Sequence, residues 1–236
     1  MSKTDTRPRC PNCLRALRTC VCPLAQAIEH QVEVLILMHP QEVHEAKGTG
    51  HLLHLCLPHS RILVGEKFDD AELEQALHGS WDHPEPCHCL LLYPDTTKQD
   101  SALGLAQAGA LPKPWPHAPE QLRLAVIDGT WRKSRKMLYL NPALQALPRI
   151  ALQDAGDSGY AIRKAHLPGQ LSSFEAASMA LAHLQSWPAD AAAVTGLKQV
   201  FERFVAQQMQ LRQSHQALQR APDELRSVKL SNPDKE

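Results

Sequence analysis

Four cysteines crowd one short stretch of the chain, as Cys10-Pro-Asn-Cys13 and Cys20-Val-Cys22. Thiolates spaced C-x2-C grip one tetrahedral zinc from a tight turn, and a second pair completes the four ligands. The second pair here, with one residue between its cysteines, is tighter than usual. Four protein ligands leave no open position, so a zinc on Cys10, Cys13, Cys20 and Cys22 is structural. Free thiols or a redox pair are the alternative. Arg7, Arg9, Arg15 and Arg18 flank the cluster, and a metal-pinned loop studded with arginines is a candidate nucleic-acid contact. Cys56 sits among leucines and Cys87-His88-Cys89 runs into an apolar stretch, so both read as core.

A second chemical cluster is Asp128-Gly129-Thr130-Trp131. An apolar run delivers a carboxylate, glycine permits close backbone approach, and threonine can cap a helix or meet a ligand. Trp131 offers an apolar plate for a nucleobase. The structural alternative makes Asp128 an N-cap and Trp131 a core residue. The residues that follow include Arg132, Lys133, Arg135 and Lys136, and no acidic residue lies between 129 and 149 to offset them. On a helix Arg132, Arg135 and Lys136 share one face by i, i+3, i+4 spacing. That face either meets solvent or holds phosphates. No G-x-G-x-x-G, P-loop or G-x-S-x-G motif is present, so neither a common dinucleotide fold, an NTPase nor a serine hydrolase is supported.

The elements that must position these groups alternate in type. Strands are expected at Val32 to Met38, Arg61 to Val64, Cys89 to Tyr93, Leu122 to Ile127 and Ile150 to Leu152. Helices are expected at Gly48 to Leu57, Asp69 to Leu77, Ser101 to Gly109, Arg132 to Leu140 and Leu197 to Leu218. Another opens at a capping box, with Ser172 as N-cap and Glu175 at N3, and ends near Ser186. Residues 112–119 carry four prolines and read as a loop. The pattern predicts an α/β fold with a mostly parallel sheet flanked by helices. In such sheets ligands bind beyond the carboxyl ends of the strands. Three of those ends are chemically loaded: His39-Pro40-Gln41-Glu42, Tyr93-Pro94-Asp95 and Asp128-Gly129-Thr130-Trp131. The expected division is a cysteine segment over 1–24, a catalytic domain over 25–220 and a frayed tail over 221–236.

Composition sets the outer limits. The chain has 236 residues, of which 43% are hydrophobic and 21% charged, which is globular composition. The 25 Lys and Arg cancel the 25 Asp and Glu, so a globally basic nucleic-acid wrapper is excluded while a local basic face is not. No apolar run approaches the roughly 20 residues that span a bilayer. The polar start lacks the apolar core of a secretory signal. A cytoplasmic protein is expected, without membrane association or an obligate protein partner.

Several ordered blocks together resemble the DTW-domain proteins, named for an Asp-x-x-Trp signature and similar to tRNA-uridine aminocarboxypropyltransferases. They are Cys10-x2-Cys13 with Cys20-x-Cys22, His39-Pro40-x-Glu42, Thr49-Gly50 with Leu52-Leu53, and Leu91-Leu92-Tyr93-Pro94. Asp128-Gly129-Thr130-Trp131, Leu147-Pro148-Arg149, Tyr160 with Arg163-Lys164, and Leu171-Ser172-Ser173 with Glu175-Ala176 complete the set. Gly48, His59 and Ser173 stand where the family pattern has Asn, Asn and Thr. The resemblance implies a SPOUT-like core, in which the chain forms a deep knot. It implies transfer of the 3-amino-3-carboxypropyl group of S-adenosyl-L-methionine to N3 of a tRNA uridine. On that reading Asp128 is the general base. Tyr93, Pro94, Thr130, Trp131, Leu171, Ser172 and Ser173 hold the donor, and Arg132, Arg135, Lys136 and Arg163 hold RNA. A SPOUT-like RNA methyltransferase, or a zinc-containing RNA-binding protein without catalysis, are the competing expectations.

Overall fold

The computed structural model describes residues 8–81, 87–94, 101, 104, 117–152 and 171–220. Five strands form one sheet: β1 (Glu33–Met38), β2 (Ser60–Val64), β3 (His88–Leu92), β4 (Leu122–Asp128) and β5 (Arg149–Ile150). Their order is β2-β1-β4-β3-β5, and every neighbouring pair is parallel. The two central strands, β1 and β4, are buried along their whole length. That is why they read as unbroken apolar runs: a parallel sheet is covered on both faces.

Successive side chains on a strand point to opposite faces, and the sheet sorts them into two cores. Val34, Ile36 and Met38 of β1, with Leu124 and Val126 of β4, join one core. Helices α1 (Gly50–Cys56), α5 (Ser173–Leu184) and α6 (Ala192–Arg220) cover it through Leu52, Leu53, Phe174, Leu181, Val200 and Phe204. Leu35, Leu37, Ala125 and Ile127 face the other core. Helices α2 (Asp70–His78), α3 (Trp131–Leu140) and α4 (Pro142–Ala146) close it through Leu73, Leu77, Met137, Leu138 and Leu144. Cys10, Cys13 and Val21 belong to the first core, so the cysteine segment packs on the same body as the sheet.

Among the described residues the expected strands and helices are present, with differences at their ends. The helix expected from Leu197 begins at Ala192. The strand expected at Ile150 to Leu152 is a two-residue pairing at Arg149–Ile150. Helix α4 was not expected. Most of the helix expected at Ser101 to Gly109, residues 112–116, Tyr160, Arg163, Lys164 and the tail over 221–236 lie outside the described residues. Among the described residues, no helix is long and apolar enough to cross a membrane.

At the amino ends of the strands, Glu33 and Arg123 sit side by side on β1 and β4 and form a fully buried ion pair. A buried pair is tolerable only when its remaining donors are satisfied. Here the carbonyls of Ala76 and Gly79 each accept from the Arg123 guanidinium at 2.9 Å, and its carbon lies 3.9 Å from the centre of the Trp81 ring. This pair staples α2 to the sheet at the end opposite the loaded carboxyl termini.

Candidate active site and metal-binding cluster

Asp128 is the last residue of β4 and is 4% exposed. Its backbone carbonyl accepts from the His39 N–H at 3.0 Å, which aligns the ends of β4 and β1. The helix that follows is capped by Thr130, whose hydroxyl accepts from the Lys133 N–H. Asp128 is therefore not the N-cap. Trp131 is not core either, because it is 45% exposed. Both halves of the structural alternative for this motif fail.

Gly50 explains the Thr49-Gly50 block. It opens α1 directly against the Asp128 side chain, and a Cβ there would overlap the carboxylate and lie 2.8 Å from the Met38 methyl. Only glycine permits that approach. The Thr49 hydroxyl accepts from the Phe174 N–H at 3.2 Å, so the start of α5 is seated on the same loop. Ser172 caps α5: its hydroxyl accepts from the Glu175 N–H at 3.2 Å, and the Glu175 carboxylate accepts from the Ser172 N–H at 2.8 Å. The capping box is as the sequence predicts. It leaves the buried Ser172 committed to the helix start, with Leu171 and Ser173 half-buried on either side.

At the same carboxyl edge of the sheet, with Tyr93 in the core on the other face, the Tyr93 and Trp131 rings stack with centroids 5.4 Å apart and planes 9° from parallel. Tyr93 is buried at the end of β3 and Pro94 beyond it is exposed. The Arg149 guanidinium of β5 lies 5.7 Å from the Tyr93 ring centre. Arg149, in the Leu147-Pro148-Arg149 block, is itself buried.

The basic helix α3 is divided in a way the sequence does not show. Lys133 reaches inward to the buried Glu42 at 2.7 Å, and Lys136 pairs with Glu66 at 2.7 Å. Acidic residues offset these two cations after all, from the ends of β1 and β2. His39 Nδ1 accepts from the Gln41 N–H at 3.1 Å, so its proton sits on Nε2, which donates to Glu66 at 3.0 Å. Lys136 first, and His39 second, hold the Glu66 carboxyl below its usual range. Arg132 is exposed and Arg135 half-buried.

The four N-terminal cysteines meet as predicted. Their sulfurs all lie within 4.8 Å of one another, with Cys10 and Cys22 3.6 Å apart and Cys13 and Cys20 3.7 Å apart. This cluster can hold a metal ion. The N–H groups of Cys13 and Asn12 hold the Cys10 thiol down to about 6, whereas burial pushes Cys20 and Cys22 up. A cation among the sulfurs offsets that penalty.

Arg15 is not the nucleic-acid contact expected of it. It is 1% exposed, donates to the Ala46 carbonyl at 2.9 Å and to the Gly48 carbonyl, and lies over the Phe204 ring. It ties the cysteine knuckle to the loop that presents Thr49 and Gly50. Arg9 and Arg18 remain exposed.

A parallel α/β sheet whose carboxyl ends gather a buried carboxylate, an aromatic stack and a basic helix, with a four-cysteine knuckle alongside, defines the class. The DTW domain family model matches residues 7–209, and the chain belongs to that family. A Drosophila melanogaster protein named tRNA-uridine aminocarboxypropyltransferase 2 is 32% identical over 191 residues, which cover 78% of this chain and 69% of that protein. Proteins of the same name from Macaca fascicularis and Mus musculus are each 26% identical. Their matches cover 76% and 77% of this chain, but only 57% and 58% of those proteins. No solved structure matches the chain.

Proposed function

We propose that the chain transfers the 3-amino-3-carboxypropyl group from S-adenosyl-L-methionine to N3 of a uridine in tRNA, releasing methylthioadenosine. The observation that carries this reading is the Asp128 carboxylate, buried at the carboxyl end of β4 against Gly50, at the same edge of the sheet as the Tyr93–Trp131 stack. The names of the relatives support aminocarboxypropyl transfer to a tRNA uridine.

The donor, when bound, supplies an electrophilic carbon bonded to a sulfonium, so its leaving group departs as a neutral thioether. Uracil N3 is a weakly acidic imide nitrogen and must lose its proton to attack. Asp128 accepts that proton, which is worth roughly 10²–10⁴ in rate for a positioned base. Gly50 and Thr49 form the wall that holds the carboxylate in place. Trp131, backed by the buried Tyr93 ring, provides the flat apolar surface that the donor's adenosine meets, with Pro94, Thr130, Leu171, Ser172 and Ser173 completing its surroundings. Their task is positioning: the chain must aim the aminocarboxypropyl carbon, rather than the methyl, at N3. Arg132, Arg135, Lys136 and Arg163 hold tRNA phosphates, and Lys136 does so as one member of its pair with Glu66.

Zinc is the metal of the knuckle on this reading. Four thiolates about 2.3 Å from one zinc lie about 3.8 Å apart at tetrahedral angles, and the observed 3.6 and 3.7 Å separations agree. The site has no open ligand position, so zinc supplies rigidity there and takes no part in transfer. On this reading the sheet forms the core of a SPOUT-like fold, and the protein works in the cytoplasm.

The test is mass spectrometry of unmodified tRNA incubated with the protein and S-adenosyl-L-methionine. An aminocarboxypropyl-uridine with methylthioadenosine as by-product upholds the proposal. A methylated base with adenosylhomocysteine would replace it with an RNA methyltransferase. Bound but unaltered RNA would leave a binding protein.

A further inference from the structure

Helix α3 turns one row of side chains away from the core. Ser134, Met137 and Leu138 are buried against the sheet. The opposite side carries Arg132, Lys136 and Tyr139, with Trp131 and the half-buried Arg135 on its flank at i−8 and i−4 from Tyr139. Lys133 and Lys136 lean into ion pairs with Glu42 and Glu66. Trp131 and Tyr139 stand toward the two ends of the helix, with Arg132 and Arg135 between them. Tyr139 is 59% exposed, more than any other large apolar side chain among the described residues.

A single exposed aromatic needs no explanation. This one is set in a row. At 1.5 Å rise per residue, Tyr139 stands about 12 Å along the helix from Trp131. The Trp131 end follows Asp128 by three residues, and on the transferase reading the reacting uridine sits at that strand end. A strand leaving that point along α3 meets Arg132 and Arg135 first and Tyr139 next. Cations alternating with aromatic plates are how proteins track single-stranded nucleic acid: the cations take phosphates, and each plate takes the face of an unpaired base.

We infer that Tyr139 is a stacking platform for an unpaired RNA base flanking the target uridine. The inference rests on the transferase reading for its direction along the helix and adds a contact of its own. An unpaired base, rather than a duplex, is the occupant, because a ring in a helix has no free face to offer. The phenol hydroxyl has no part in it, so phenylalanine serves as well as tyrosine.

The experiment measures affinity of the full chain for unmodified tRNA and for a blunt RNA duplex, in parent, Tyr139→Ala, Tyr139→Phe and Arg132→Ala forms, across a salt series. Tyr139→Ala should weaken tRNA binding about tenfold, as expected for the loss of one base–aromatic stack. Its salt slope should be unchanged, its duplex affinity should be unchanged, and Tyr139→Phe should bind like the parent. Arg132→Ala should instead flatten the salt slope. Equal tRNA affinity in parent and Tyr139→Ala, or an equal loss on the duplex, would overturn the inference. Transfer to tRNA by the parent is assayed alongside. Tyr139-dependent binding without any transfer would sink the transferase reading alone, and transfer with Tyr139-independent binding would sink the stacking alone.

Discussion

The backbone of Gly50 lies so close to the Asp128 carboxylate that any side chain at position 50 would occupy the same space. A loop glycine and a strand-end aspartate, far apart in sequence, thus share one wall. Forcing an extra methyl into a packed site typically costs about 1–3 kcal/mol. Here the atom that must yield is the proposed base. A misplacement of about 1 Å at a reacting group can cost 10²-fold in rate. Gly50→Ala is therefore expected to lower transfer about a hundredfold while the protein still folds. Thermal melting beside single-turnover transfer checks it, and an active Gly50→Ala would mean that the carboxylate does not need this wall.

Asp128→Asn keeps the shape of the side chain and removes its basicity. Single-turnover transfer is expected to fall by about two to four orders of magnitude with donor binding nearly intact. Because Thr130 caps α3, the loss cannot be ascribed to an uncapped helix. Near-normal transfer by Asp128→Asn would remove the base assignment and leave water or a substrate group to take the N3 proton.

The knuckle supports the site through Arg15. From the cysteines, the path runs through the Arg15 guanidinium to the carbonyls of Ala46 and Gly48, and then to Thr49 and Gly50. Removing the metal by chelation, or Cys20→Ser, is expected to lower the melting temperature first. Arg15→Ala should lose both stability and transfer, since it leaves two part-buried carbonyls without their donor, at no more than about 1–3 kcal/mol in all. Elemental analysis should give one zinc per chain in the parent. A metal-free preparation that melts and transfers normally would show that the sulfurs need no cation.

How much of this was legible varies with its physical origin. β1 and β4 could be read because burial on both faces demands continuous apolar runs, and Pro40 and Gly129 mark where they stop. The capping box at Ser172 and Glu175 is local, so sequence contains all of it. Helix α4 was missed because Asn141-Pro142 reads as the end of α3. Proline at the first position equally begins a helix, while the Asn141 side chain bridges the Phe68 N–H to the Glu66 and Met137 carbonyls. The partners of Lys133 and Lys136 come from other strand ends, and no spacing rule links them. Arg15 looked like its exposed neighbours, since nothing in composition distinguishes a buried guanidinium that finds two carbonyls.

Acid should loosen the clamp between α3 and the strand ends. The Glu66 carboxyl is held below its ordinary value by Lys136 and His39. A depressed folded-state value contributes stability that is present above the unfolded value, near 4.3, and is lost as pH falls through the folded one. Glu66→Gln should therefore narrow its stability gap to the parent as the pH drops below about 4. Melting curves of both proteins between neutral and acid pH read this directly. A gap that stays constant with pH would mean that the pair with Lys136 contributes nothing measurable.

Trp131 separates binding from folding. A fully buried tryptophan truncated to alanine typically costs about 3–5 kcal/mol. Trp131 is nearly half exposed, stacked by one face on Tyr93, so Trp131→Ala should cost well under that. Its stack contributes on the order of 0.5–1.5 kcal/mol, and the melting temperature should shift only modestly. The affinity for S-adenosyl-L-methionine should fall much further, because the plate it offers is lost. Trp131→Phe keeps a ring and should restore most of the binding. Calorimetric titration of the donor into parent, Trp131→Ala and Trp131→Phe decides it. If the alanine variant binds the donor as tightly as the parent, the exposed face of Trp131 belongs to the RNA base instead, and the donor pocket lies on the Asp128 side of the stack.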